Sequence, residues 1–138
     1  MQRRSSLRAV PLCRSPPALT PLYTGFLWAL WQVIVPFNFP AMIPWGWMVP
    51  LAIATGNTVV LKAASLTPLT SMRILELFYT EGGFPKGVVN LVTCSRNEAE
   101  IFLTDPRVKA VTFVGTTGVG KHIYSVASAN GKRKSNII

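Results

Sequence analysis

Acidic residues are scarce in this chain. Of its 138 residues five are Asp or Glu, against fourteen Lys or Arg, and none of the five precedes Glu76. Histidine occurs once, at His122, and cysteine twice, at Cys13 and Cys94. Two cysteines make no disulfide framework, and the three residues together have no metal-ligand spacing, so no metal site is expected and a reducing compartment fits. Charge is missing altogether from Phe26 to Leu61. That length would suit a membrane span. Pro36, Pro40, Pro44 and Pro50, with a Gly56-Asn57 turn, divide it into pieces that read as buried strand, loop, helix, turn and strand, so no span is expected. The formal net charge of +9 is gathered at the ends, in Arg3, Arg4, Arg8 and Arg14 and in Lys132, Arg133 and Lys134. The aromatics lie in uncharged stretches and are not interleaved with these cations, so nucleic acid is not the expected partner.

What is present is apolar. Hydrophobic residues make up 49% of the chain, enough for the core of one domain, and the 14% that is charged is low for a free-standing surface. The balance implies a piece that packs against something larger. Residues 1–22 are rich in Arg, Ser, Pro and Leu, a composition similar to a mitochondrial presequence. The prolines at 11, 16, 17 and 21 work against the amphipathic helix such a signal needs. The expectation is a disordered basic leader over 1–32 and a mitochondrial or cytoplasmic protein.

Beyond that the periodicity is regular. The apolar run at Val33, Ile34 and Val35 stops at Pro36. Thr58 to Leu61 reads as a strand, Pro68 to Tyr79 as a helix with Pro68 in its first turn, and Val88 to Val92 as a strand. A short helix spans Glu98 to Leu103, a strand Ala110 to Val114, and a helix Gly118 to Ala129. Strands and helices in alternation imply a parallel sheet with helices on its faces. Such sheets bind ligands at the edge formed by the strands' C-terminal ends. Asn38, Lys62 and Gly115 each follow a strand, so all three should line that edge.

Several residues there carry more than one reading. Gly115-Thr116-Thr117-Gly118-Val119-Gly120-Lys121 joins a strand to a helix, where backbone N–H groups attract phosphate. It satisfies the first seven positions of a P-loop, but His122 stands where Ser or Thr should hold magnesium. Lys62 is either solvated or bonded to phosphate or ribose oxygens. Asn38 is either an Asx-turn residue before Phe39-Pro40 or a side-chain amide able to donate to an oxyanion. Spacing leaves these open. Cys94 has no base near it in sequence and reads as an ordinary thiol, and His122 as an exposed helix residue.

The same residues resemble the aldehyde dehydrogenase superfamily. Pro36 to Pro40 (PFNFP) is similar to its P-[WF]-N-[FY]-P motif, and Gly56 to Lys62 (GNTVVLK) to G-N-[TA]-x-[VL]-x-K-P. Gly83 to Asn90 (GFPKGVVN) is similar to G-x-P-x-G-V-x-N. Phe113 to Thr116, with Gly120-Lys121, is similar to F-[TV]-G-S-x-x-x-G-[KR]. PFNFPAMIP and the ending Asn130 to Asn136 lean towards the methylmalonate-semialdehyde dehydrogenase branch. The resemblance implies a Rossmann-like α/β fold, with 33–138 as part of an NAD(P)-binding domain. It implies that Asn38 is the side-chain half of an oxyanion hole. It further implies that Val35, Pro36, Phe37, Lys62, Ser65, Gly115 and Thr116 line the cofactor site. NAD or NADP is the implied cofactor, an aldehyde the substrate, and coenzyme A the co-substrate in the semialdehyde branch. Ala63 replaces the family's proline, Thr116 its serine, and Ser65 the acidic residue that bonds the ribose hydroxyls. Loss of that carboxylate leaves NAD and NADP both open.

The resemblance also implies that the nucleophilic cysteine and the general-base glutamate belong to segments outside these residues. The chain alone is therefore expected not to oxidise aldehydes. A truncated sheet should leave apolar surface uncovered, with Trp28, Trp31, Trp45 and Trp47 as candidates. That surface supports an alternative role, a non-catalytic chain bound to a homologous full-length subunit. A P-loop nucleotide binder is the remaining alternative.

Overall fold

A computed structural model describes residues 29–137. Five strands, β1 (Leu30–Ile34), β2 (Thr58–Lys62), β3 (Val89–Val92), β4 (Val108–Phe113) and β5 (Arg133–Ile137), form one sheet. Every pair is parallel and the order is β3-β2-β1-β4-β5. The chain therefore builds outward from β1 in one direction and then returns to build outward in the other. This is the doubly wound order, and it opens a crevice beyond the ends of β1 and β4, where the direction reverses.

The connections are helical. A π-helical segment (Met42–Met48) runs into α1 (Val49–Ala54), and α2 (Pro68–Thr80) joins β2 to β3. Two one-turn helices, α3 (Arg96–Ala99) and α4 (Ile101–Thr104), precede β4, and α5 (Thr117–Ala129) precedes β5. Side chains alternate across the sheet. Val33, Val59 and Leu61 pack with Met48, Val49 and Ala52 on one side. Val111 and Phe113 pack with Leu103, Ile123 and Ala127 on the other.

Local chemistry accounts for several of the joints. Gly56 takes φ 82°, a left-handed turn that glycine accepts without strain. The buried Asn57 that follows is a clamp: its Oδ1 accepts from Ala29 N (3.3 Å) and its Nδ2 donates to Ala52 O (3.1 Å) and Thr55 Oγ1 (2.8 Å). The Gly-Asn pair is thus structural. Buried Lys132 donates to the carbonyls of Asp105 and Val108, and burial pushes its ammonium pKa down. Asp105 itself is held down at about 2 by the hydrogen bonds of Arg107.

The structure departs from expectation at several places. The helix expected from Glu98 starts at Arg96, because Ser95 caps it through a reciprocal capping box with Glu98. It breaks at Glu100 into two turns. β5 is a strand that no hydrophobic alternation announced: Arg133, Lys134, Ser135 and Asn136 are polar, and the pairing with β4 creates it. Of the tryptophans expected to be uncovered, Trp47 is exposed, but Trp31 and Trp45 are half-buried. Trp45 is covered by a hydrogen bond to Ser71 and by the ring of Phe78, 5.9 Å between centroids. Trp28, Cys13 and the expected leader lie outside the described residues. No helix among those described is long and apolar enough to cross a membrane.

Candidate functional site

Parallel pairing brings the C-terminal ends of β1, β2 and β4 to one edge. A cleft of about 310 Å³ opens there. Its floor is the chain leaving β1 (Val35, Pro36, Phe37), Lys62 at the end of β2, and Gly115-Thr116 after β4. These are six of the eight residues that the sequence proposed for a site. Ser65 is exposed and does not line the cleft, and Asn38 is exposed just beyond Phe37.

Gly115 is there because little else fits. A Cβ at this position would run into the ring of Phe113, itself buried. Thr116 caps α5 in an extended conformation without a side-chain hydrogen bond, and the first turn of α5 holds no acid. The first amides of that helix therefore have no side-chain acceptor among the described residues. Close backbone approach, free N–H groups and the positive end of a helix dipole suit a pyrophosphate. The residues present fit a dinucleotide on these grounds.

Helices α3 to α5 supply the wall that sequence reasoning missed. Leu103, Val119 and Ile123 give it an apolar surface. Arg96, Glu100 and His122 give it charge. His122 Nε2 lies 2.6 Å from Glu100 Oε1, tying α5 to the junction of α3 and α4. His122 is exposed, as its position suggested, but its partner is 22 residues away in sequence. A signal did exist: Val119, His122 and Ile123 recur at helical spacing on one face of α5. Lys121, the P-loop lysine of the alternative reading, does not line the cleft.

The Asn38 loop is supported from behind. Thr67 Oγ1 donates to Phe37 O (3.4 Å), and buried Ser71 donates to Pro40 O (3.3 Å) while accepting from Trp45 Nε1 (3.3 Å). Between them Phe39 takes φ 55°, the only left-handed non-glycine among the described residues. A bulky side chain held there costs about 1–2 kcal/mol, so the surrounding bonds hold the turn. An Asx turn needs a side-chain oxygen bonded to a nearby backbone N–H. Among the described residues Asn38 makes no such bond, so the Asx-turn reading has no support there. Cys94 is a half-buried free thiol off the cleft, and no cluster that could hold a metal occurs among the described residues.

The aldehyde dehydrogenase family model matches residues 28–136. The chain belongs to the aldehyde dehydrogenase family. The match begins ahead of the boundary expected at 33, in keeping with β1 starting at Leu30. Malonate-semialdehyde dehydrogenase 1 of Oceanobacillus iheyensis is 55% identical over 100 residues, covering 72% of this chain and 20% of that protein. The crystal structure of methylmalonate-semialdehyde dehydrogenase from Oceanimonas doudoroffii superposes with a TM-score of 0.73 at 45% identity, over 77% of this chain and 21% of that one. A betaine aldehyde dehydrogenase double mutant from Staphylococcus aureus, solved with NAD+, gives 0.71 at 34% identity, over 77% and 21%. The chain spans between a fifth and just over a quarter of the length of the curated relatives it matches. The relatives named are bacterial, which lends the mitochondrial reading no support.

Proposed function

We propose that this chain supplies the dinucleotide-binding part of an NAD(P)-dependent aldehyde dehydrogenase. The observation that carries the reading is the convergence of Val35–Phe37, Lys62 and Gly115-Thr116 on one cleft at the switch point of a parallel sheet. Lys62 bonds the adenosine ribose, Leu103, Val119 and Ile123 hold the base, and the N–H groups at Gly115 and Thr116 meet the pyrophosphate. The bound nicotinamide would supply the hydride acceptor. Asn38 donates its side-chain N–H to the oxygen of the aldehyde as charge develops on it, a contact worth about 3–4 kcal/mol in comparable oxyanion sites. Cys94 stands off the cleft, and we assign no nucleophile to it.

The relatives' names support a semialdehyde as the substrate of the whole protein, with coenzyme A as acyl acceptor in the same reading. Calorimetric titration of the 138-residue chain with NAD and NADP tests the cofactor assignment. Saturable binding of either, weakened about tenfold or more by Lys62→Ala, is the expected result. Absence of binding, or binding indifferent to Lys62, would overturn it.

One observation supports a second role alongside the first. Met42, Leu51, Leu66, Leu69 and Met72 are all exposed, Leu66 to 80%. We propose that this apolar surface is covered in an assembly with a homologous subunit. Sedimentation of the chain mixed with such a subunit tests it, and two independent boundaries would reject it.

A further inference from the structure

We infer that the first turn of α2 is a clamp on the Asn38 turn, with Thr67 and Ser71 as positioning residues that hold a strained loop in one of two states; this rests on the oxyanion reading of Asn38 above. Thr67 stands at the N-cap of α2, where a threonine hydroxyl ordinarily accepts from an amide of its own helix. It makes no such bond and donates across to Phe37 O (3.4 Å). Ser71 lies one helical turn on, along the same face. It is 1% exposed and donates across to Pro40 O (3.3 Å). The two carbonyls that α2 takes therefore bracket the dipeptide Asn38-Phe39.

Strain is concentrated between these two bonds. Phe39 is left-handed at φ 55°, a conformation that bulky residues avoid. Its ring is 60% exposed, so burial of its own side chain does not hold it there. Phe39 O accepts from Ile43 N (3.2 Å), and the chain then winds into the π-helical Met42–Met48. π-Helices are rare and concentrate at functional sites. This one returns Trp45 to α2, where its Nε1 donates to the same Ser71 hydroxyl (3.3 Å). One buried hydroxyl thus ties Pro40, ahead of the π-helix, to Trp45 within it. A strained conformer persists only where its surroundings over-determine it. Here that support comes from two side chains that do not line the cleft. Release of the strain at Phe39 drives the turn to its second state once the clamp is lost.

The test is a double-mutant cycle on the 138-residue chain, read by thermal unfolding, with NMR of the same variants. Phe39→Gly removes the strain, since glycine takes a left-handed φ freely. Its effect on Tm should be more favourable in the wild-type background than in Ser71→Ala by about 4 °C or more, because the turn in Ser71→Ala has already relaxed. Relaxation dispersion in Ser71→Ala should show exchange at the backbone amides of Asn38 and Phe39 and at the Asn38 side-chain NH2, absent from the wild type. Thr67→Val keeps the shape of the residue and removes the donor. It should give the same exchange, and it carries the test should Ser71→Ala not fold. A hydroxyl that merely stabilises the fold predicts additive Tm changes and an undisturbed Asn38. Additive changes, or Asn38 signals unchanged in both variants, would overturn the inference. Neither measurement uses a nucleotide, so absence of NAD binding would remove the dinucleotide reading without altering these results.

Discussion

Gly115→Ala makes the most direct test of how the cleft floor is built. The added methyl would overlap the Phe113 ring. Phe113 is 4% exposed and packed among Leu103, Val111 and Ile123, so the ring has no free volume to enter. The strain must be shared with the backbone of the turn. Overpacking of this kind costs about 1–3 kcal/mol, equivalent to about 4–12 °C in melting temperature for a domain of this size. Because the displaced backbone carries the N–H groups assigned to the pyrophosphate, dinucleotide affinity should fall by about tenfold or more as well. Gly118→Ala is the matched contrast. It sits in the first turn of α5, and a Cβ there meets nothing within 4 Å. Alanine in a helix is favoured over glycine, so that variant should gain about 0.5 kcal/mol. Thermal unfolding by circular dichroism and NAD titration by calorimetry read both effects. If Gly115→Ala melts with the wild type and binds NAD equally well, steric shaping of the floor by Phe113 is wrong.

Three further outcomes are expected. Asn57→Ala removes an acceptor from Ala29 N and donors to Ala52 O and Thr55 Oγ1. Ala52 O keeps the backbone bond from Asn57 N, so the loss falls mainly on Ala29 and costs about 2 kcal/mol, measured by urea unfolding. Ser71→Ala leaves Trp45 Nε1 and Pro40 O without their shared hydroxyl, and both bonds are long at 3.3 Å. A loss of about 1 kcal/mol is expected, accompanied by NMR shift changes at Asn38 and Phe39; unchanged shifts there would deny the support role. The Asp105 carboxyl is lowered from 3.8 to about 2 by Arg107. A depressed carboxylate pKa stabilises the fold above the unfolded value and stops doing so as pH falls through the folded one. The contribution should therefore be whole above about pH 4 and vanish towards pH 2, and an acid titration of Asp105→Asn should lack that component.

Much of the fold was legible because its signals are local. Pro68 in the first turn, the apolar spacing to Tyr79 and the Gly-rich turn after it mark α2 without reference to any neighbour. The strands β2 and β4 announce themselves as short apolar runs, since a strand covered on both faces needs no polar alternation. β5 had no such mark: its polar residues become a strand through pairing with β4. The capping box at Ser95-Arg96-Asn97-Glu98 was present in the sequence and should have moved the start of α3.

The site divides along the same line. The sequence by itself determined which groups stand at strand ends, because a strand end is read from the apolar run before it. Asn38, Lys62 and Gly115 were placed that way, the resemblance to the family added Val35, Pro36, Phe37 and Thr116, and parallel pairing brings all of these except Asn38 to the cleft. Only the tertiary structure decided the opposite wall. Arg96, Glu100 and His122 reach the cleft because α3 and α4 pack beside α5, and the contact between Glu100 and His122 spans 22 residues of chain. It also decided that Ser65 lies off the cleft and that the Asn38 side chain makes no hydrogen bond among the described residues. Sheet order and helix packing are long-range choices, and side-chain convergence follows from them rather than from spacing along the chain.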